Sequence, residues 1–230
     1  MSQTILPKHI GFILDGNRRW AQERGLPKLA GHKKGYDNLK VIAEQCFDLG
    51  IETVSAYIFS TENWNRELEE VNYLMDLALK IFTSDLKELT DKGIKVVVSG
   101  NHNRLDKKII SAIAKATEQT STNTKGTINL CFNYGGQTEI VDAVKKIITN
   151  GTKADDVTTE ILRENLYHPE LPPVDYIIRT SGEQRLSNFL LWDSAYAELQ
   201  FVPIHWPDFD QAELDKVIAV YASRMRRFGK

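Results

Sequence analysis

Short apolar runs at 10–14, 53–59, 95–99, 127–133 and 174–178 alternate along this chain with longer stretches whose apolar residues fall at helical spacing. Each run is rich in Ile, Val, Phe or Tyr and bounded by Gly, Ser, Thr or Asn, the pattern of a strand buried on both faces. Between them, Leu39, Ile42, Ala43, Cys46 and Phe47 share one helical face ahead of Gly50. Val71, Leu74, Met75, Ala78, Leu79 and Phe82 recur at i, i+3, i+4 and i+7. Segments 109–116, 140–148 and 214–227 read as further helices. Strands alternating with helices predict an α/β fold: a central, mostly parallel sheet flanked by helices on right-handed crossovers. No repeat or linker interrupts the pattern, and the polar stretch 117–127 reads as a turn, so residues 1–230 are expected to form a single domain.

Composition narrows the function classes. Lys plus Arg (29) nearly cancels Asp plus Glu (31), leaving a net charge of -2, so no global basic field recommends a nucleic-acid partner. Only Cys46 and Cys131 occur, which supplies neither a disulfide framework nor a CxxC motif and fits a reducing cytosol. No apolar run approaches the roughly 18 residues of a membrane span, and the first eight residues lack a signal-peptide pattern. The expectation is a cytoplasmic protein without stable membrane insertion, which reaches any lipid from the aqueous side.

Open parallel sheets bind ligands at the carboxyl ends of their strands. The segments that follow the apolar runs are Asp15-Gly16-Asn17-Arg18-Arg19-Trp20, Ser60-Thr61-Glu62-Asn63-Trp64-Asn65-Arg66, Gly100-Asn101, Tyr134-Gly135-Gly136 and 179–185. Five of the eleven arginines (Arg18, Arg19, Arg66, Arg179 and Arg185) fall there. Their planar, permanently charged forks match phosphate oxygens, so a near-neutral chain is concentrating positive charge where an anionic, phosphorylated ligand would bind.

Each motif has two readings at this stage. Asp15-Gly16-Asn17 is either a plain turn with Asp as a cap or a phosphate-binding turn opening a helix, with a carboxylate placed for Mg2+; two adjacent arginines favour the second. Neither GxxxxGK[ST] nor GxGxxG occurs, so no nucleotide-triphosphate or dinucleotide site is supported. Arg179 and Arg185 flank Ser181 and Gly182, with Ser187 beyond, as a second phosphate clamp. Glu198 is either a solvated helical residue or the partner of Asp15 at a metal. His9 and His32 are acids or bases, or hydrogen-bonded structural residues. Trp20 and Trp64 either shield a site or fill the core. The 71–82 face is core, or lines an apolar tunnel for a hydrocarbon chain.

The motifs spanning 9–21, 59–66, 133–136 and 178–192, in this order and spacing, closely resemble those of the cis-prenyltransferases, and the resemblance runs from about His9 to Gly229. It implies an α/β fold enclosing a hydrophobic tunnel, and Mg2+-dependent condensation of isopentenyl diphosphate with geranyl or farnesyl diphosphate to give a cis-polyprenyl diphosphate. By this similarity Asp15, Asn63 and Arg19 are catalytic, and Asp15 and Glu198 bind Mg2+. The allylic diphosphate would be held by Gly16, Asn17, Arg18, Arg19, Trp20, Lys28, His32, Ser60, Thr61, Glu62, Trp64 and Arg66. Isopentenyl diphosphate would be held by Arg179, Arg185 and Ser187, with Arg227 and Gly229 of the partner subunit in a homodimer. The tunnel would be lined by Ile58, Val71, Leu74, Met75, Ala78, Leu79 and Phe82, and product release would involve transient membrane contact. The other role the resemblance allows is a catalytically silent subunit of a heteromeric synthase.

Several positions depart from the family pattern. Arg18 stands where Gly is usual in long-chain enzymes, Lys28 where Arg is expected, Gln184 in place of a frequent His, Gln137 in place of Arg, and Asn101 in place of Asp. Ile58 takes a place often held by Ala, and its bulk near the tunnel entrance predicts a short or medium product.

Overall fold

A computed structural model describes residues 6–224. The apolar runs become strands β1 (His9–Ile13), β2 (Thr53–Ser60), β3 (Ile94–Ser99), β4 (Gly126–Tyr134) and β5 (Tyr176–Arg179), and a further strand, β6 (Glu198–Phe201), follows them. They form one sheet in the order β3-β4-β2-β1-β5-β6, and every pairing is parallel. The helices are α1 (Asn17–Glu23), α2 (Lys28–Asp48), α3 (Leu68–Phe82), α4 (Leu86–Asp91), α5 (Lys107–Gln119), α6 (Gly136–Thr149), α7 (Thr159–Glu164) and α8 (Gln211–Ser223).

Two boundaries differ from expectation for identifiable reasons. The run 174–178 becomes β5 only from Tyr176, because Pro172 and Pro173 carry no N–H and the Asp175 carboxylate instead accepts the amides of Lys8 and His9. Segment 198–201 lacks the continuous apolar signal of its neighbours because β6 is an edge strand, mostly half-buried, with Leu199 partly exposed. Glu198 is therefore a strand residue, not a helical one.

The core lies on both faces of the sheet. Phe12, Trp206 and Phe209 pack together under α2, where Trp206 and Phe209 stack with ring centroids 5.6 Å apart. On the other side Tyr57 stacks on Phe189 at 4.8 Å. α1 and α2 come very close: a Cβ on Gly31 would lie 1.9 Å from the Asn17 carbonyl oxygen, so only glycine fits there. That approach holds the first helix turn against the sheet edge.

His9 is buried on β1, with Nδ1 2.7 Å from the Pro172 carbonyl and Nε2 2.7 Å from the Ser55 hydroxyl, so the ring donates to one and accepts from the other. It is a structural histidine. Burial depresses its pKa below the ordinary histidine value against the Pro172 hydrogen bond. The unfolded state therefore takes up the proton first, and stability present above about pH 6.5 is lost as pH falls through the native value. Thermal melts from pH 7.5 to 5 should show a falling midpoint, with a shallower slope for His9→Gln. Equal slopes would refute this assignment.

Candidate active site

Strand order reverses about β1: the chain steps from β1 outward to β2 on one side and later returns to place β5 on the other. This creates a crevice at the carboxyl ends of β1 and β5. Asp15 leaves β1 there, and Arg179 ends β5; their side chains meet across the crevice at 2.8 Å. Arg19, one turn along α1, approaches the same carboxylate at 3.1 Å, and the Gly16 amide donates to it at 2.7 Å. Burial raises the Asp15 pKa, but the Arg179 and Arg19 charges and hydrogen bonds outweigh it and hold the carboxyl below the usual range. Asp15 is ionised at neutral pH.

Gly16 adopts φ 101°, and a Cβ there would meet His205 Nδ1 at 2.6 Å and Ser181 Oγ at 2.7 Å. The Ser181 hydroxyl donates to His205 Nδ1, and His205 Nε2 donates to Glu23 at 2.9 Å, so this chain of bonds backs the turn from behind. The turn brings Gly16, Asn17, Arg18, Arg19, His32 and Arg66 around one cleft.

A second cleft, sharing Asp15, Arg19 and Arg66 with the first, is lined by Arg179, Arg185, Ser187, Ser60, Glu62 and Asn63. Arg179 is 4% exposed; Nη1 donates to Ser187 Oγ and to the Arg185 carbonyl, each at 2.7 Å. Its Nε is buried with no acceptor. Asn63 reaches this wall because Ser60 and Asn63 form a reciprocal capping box around the 3-10 turn Thr61–Asn65. Glu62 is tied to the 187–190 segment by the Asn188 amide at 3.0 Å.

A third space opens from both clefts past Leu14 and Arg66. Polar groups (Asn17, His32, Asn63 and Arg66) stand at its mouth, and Ile58, Leu74, Leu77, Ala78, Ile81 and Phe132 are among its apolar lining. Its volume is about 120 Å³. The expected tunnel is not shown; the space present is a cavity with this lining. Of the predicted lining, Ile58, Leu74 and Ala78 face it, whereas Val71 and Phe82 are buried core and Met75 and Leu79 pack against that core. The 71–82 stripe is thus shared between core and cavity, and Leu77 and Ile81, outside the stripe, complete the α3 side of the cavity.

Other predicted residues are placed differently. Trp20 donates to Asp208 at 2.7 Å beneath the Arg24 guanidinium, and Trp64 donates to Asn133 at 2.8 Å against Phe59. Neither is among the lining residues of the two clefts above. The Thr61 hydroxyl lies against Gly135, and Lys28 pairs with Glu67 at the rim. Glu198 does not meet Asp15 within the chain: the parallel register sets it level with Tyr176 and Ile10, at the amino ends of the strands, and it pairs with Arg224 at 3.0 Å. Arg227 and Gly229 lie outside the described residues.

Sequence reasoning missed Glu70. Its side chain is 1% exposed yet sits 2.8 Å from Arg66 and 2.9 Å from His32, with Arg18 and Lys28 at 3.8 and 3.9 Å. Burial lowers the His32 pKa despite Glu70, so the neutral ring donates Nε2–H to the carboxylate. Glu70 thus holds the basic side chains of the first clamp in register. The available signal was its place four residues after Arg66.

Arginine-walled clefts thus meet a largely apolar cavity at one edge of the sheet. The family model for undecaprenyl diphosphate synthase matches residues 13–229. The chain is 46% identical over 224 residues to an isoprenyl transferase of Fusobacterium nucleatum, covering 97% of this chain and 96% of that one. It is 42% identical over 233 residues to a trans,polycis-polyprenyl diphosphate synthase, (2Z,6E)-farnesyl diphosphate specific, of Thermobifida fusca, covering 100% and 83%. The crystal structure of lavandulyl diphosphate synthase from Lavandula x intermedia, in complex with dimethylallyl diphosphate, superposes with a TM-score of 0.91 at 33% identity over 98% and 99% of the two chains. The fold and site define a prenyltransferase. The chain belongs to the undecaprenyl diphosphate synthase family, and its activity is isoprenyl transfer.

Proposed function

We propose that this enzyme condenses isopentenyl diphosphate with a short allylic diphosphate, forming a cis double bond. The observation that carries this reading is the junction of three spaces at Leu14: two clefts walled by arginine and a cavity that is polar at its mouth and apolar within. Two diphosphates occupy the two clefts, and the allylic tail enters the cavity. The lavandulyl diphosphate synthase complex holds a five-carbon allylic diphosphate, which supports a short primer here.

Among the described residues no three acidic, His or Cys side chains cluster, so the protein alone forms no metal cage. Asp15 nevertheless fits Mg2+, which commonly takes one or two carboxylates and completes its shell with substrate phosphates and water. When bound there, Mg2+ would neutralise charge on the departing diphosphate. Within the chain Asp15 is its one carboxylate.

The side chains account for the rest. As the allylic C1–O bond breaks, negative charge grows on the diphosphate, and Arg18, Arg19, Arg66 and the amides at the start of α1 are already oriented toward it. Arg179, Arg185 and Ser187 hold isopentenyl diphosphate so that its double bond faces the allylic carbon. The C2 proton then leaves; Asn63, which lines both the second cleft and the cavity, orients that step, with a diphosphate oxygen as acceptor. The clamp residues are intact, which favours an active enzyme over a silent subunit. A homodimer in which Arg227 and Gly229 of the partner subunit complete the second cleft is part of this proposal.

The test is mass spectrometry of products after incubation with Mg2+, isopentenyl diphosphate and, separately, dimethylallyl, geranyl and farnesyl diphosphates. Short products, formed best from the shortest primer, are expected. A chiefly fifty-five-carbon product would refute the chain-length reading, and no product from any primer would refute transfer itself.

A further inference from the structure

We propose that Tyr36 is a specificity-determining residue that closes the floor of the cavity and limits the hydrocarbon it admits. This rests on the tail-binding reading above. Tyr36, Leu39 and Ile81 line the cavity, and the same three residues line a second, enclosed apolar space of about 30 Å³ bounded further by Ala43, Phe47 and Leu130. The mouth residues Asn17, His32, Asn63 and Arg66 belong to the first space only. These three side chains therefore form the partition between a mouth-facing chamber and a deeper one.

Of the three, Tyr36 is the one that is tethered. Its hydroxyl donates to the Asp85 carboxylate, which also accepts from Lys40 at 3.0 Å, and both Tyr36 and Asp85 are 8% exposed. The ammonium groups of Lys40 and Lys80 stand 5.3 and 5.2 Å from the ring centre. Leu39 and Ile81 have no polar anchor, whereas swinging the Tyr36 ring aside would break its bond to Asp85 and leave a buried phenol without an acceptor. The partition holds because this pin holds it.

Size then sets the consequence. An apolar cavity of about 150 Å³ holds one benzene ring, so about 120 Å³ accommodates a five-carbon allylic tail but not a ten-carbon one. Dimethylallyl diphosphate is the matched primer. Once one unit has been added, the longer tail has nowhere to retreat, and elongation stops.

Two readouts on the full-length protein test this. Wild type, Tyr36→Ala and Tyr36→Phe are compared for product length by mass spectrometry, and for binding of dimethylallyl against geranyl thiodiphosphate by calorimetry. Tyr36→Ala should join the two chambers, raise the ratio of longer to shortest product at least tenfold and move binding preference toward geranyl. Tyr36→Phe should keep the ring in place and change length little. Ile81→Ala opens the partition from its other side and serves if Tyr36→Ala does not fold. Folded opening variants whose product lengths and binding preference match wild type would overturn the proposal. A shift in binding preference with no turnover in any protein would support the partition and overturn transfer instead.

Discussion

Replacing Arg179 with Ala should lower kcat/KM for isopentenyl diphosphate about a thousandfold, roughly 4 kcal/mol of transition-state stabilisation. Arg179 is 4% exposed, spends Nη1 on Ser187 and the Arg185 carbonyl, spends Nη2 on Asp15, and lines the second cleft. Its removal takes away a diphosphate donor and releases Asp15 from a charge that holds it ionised. Arg179→Lys should recover little, because an ammonium cannot span Asp15, Ser187 and a phosphate at once. Steady-state kinetics with each substrate varied in turn checks this. Loss confined to KM for the allylic substrate, or activity within threefold of wild type, would place Arg179 outside the second clamp.

Glu70→Ala should act on both stability and binding. Removing a buried carboxylate leaves His32 and Arg66 without their shared acceptor; Arg66 and Arg18 remain partly solvated, so the cost is about 2–3 kcal/mol, below the range for a fully buried pair. For a chain of this size that is roughly 4–6 °C in Tm. KM for the allylic diphosphate should rise about tenfold as the clamp loses register. The pH dependence has a definite sign. Burial raises the Glu70 pKa, but His32, Arg66 and Arg18 lower it further, so its contribution is present above about pH 4.3 and disappears as pH falls through the native value. The Tm gap between wild type and Glu70→Ala should therefore be full at pH 7.5 and close toward pH 3. A variant with unchanged Tm and KM would make Glu70 a bystander.

Much of the fold was legible because both-face burial leaves a local trace: β1 to β4 appear as unbroken apolar runs within a residue or two of their observed ends. The half-exposed edge strand β6 and the short helices α1, α4 and α7 leave no such trace. The clustering of arginines was legible because Arg18, Arg19, Arg66, Arg179 and Arg185 each lie at or beyond a strand end, and strand ends in a parallel sheet converge. Trp20 and Trp64 were misplaced because proximity to a motif in sequence does not fix the direction of a side chain: one turns toward Asp208 and the other toward Asn133.

By itself the amino-acid sequence determined the α/β class, the sheet edge that carries the chemistry and the phosphate character of the ligand, since each depends on local residue type and spacing. Tertiary structure alone decided that Asp15 and Arg179 meet, that Glu198 stands at the far end of its strand, that Glu70 is buried beside Arg66 and His32, and which side chains, Tyr36 among them, line the apolar space beneath the clefts. The reason is physical. Distances between side chains remote in sequence, and the volume left between them, are set by strand order, register and packing, which no single segment of the chain carries.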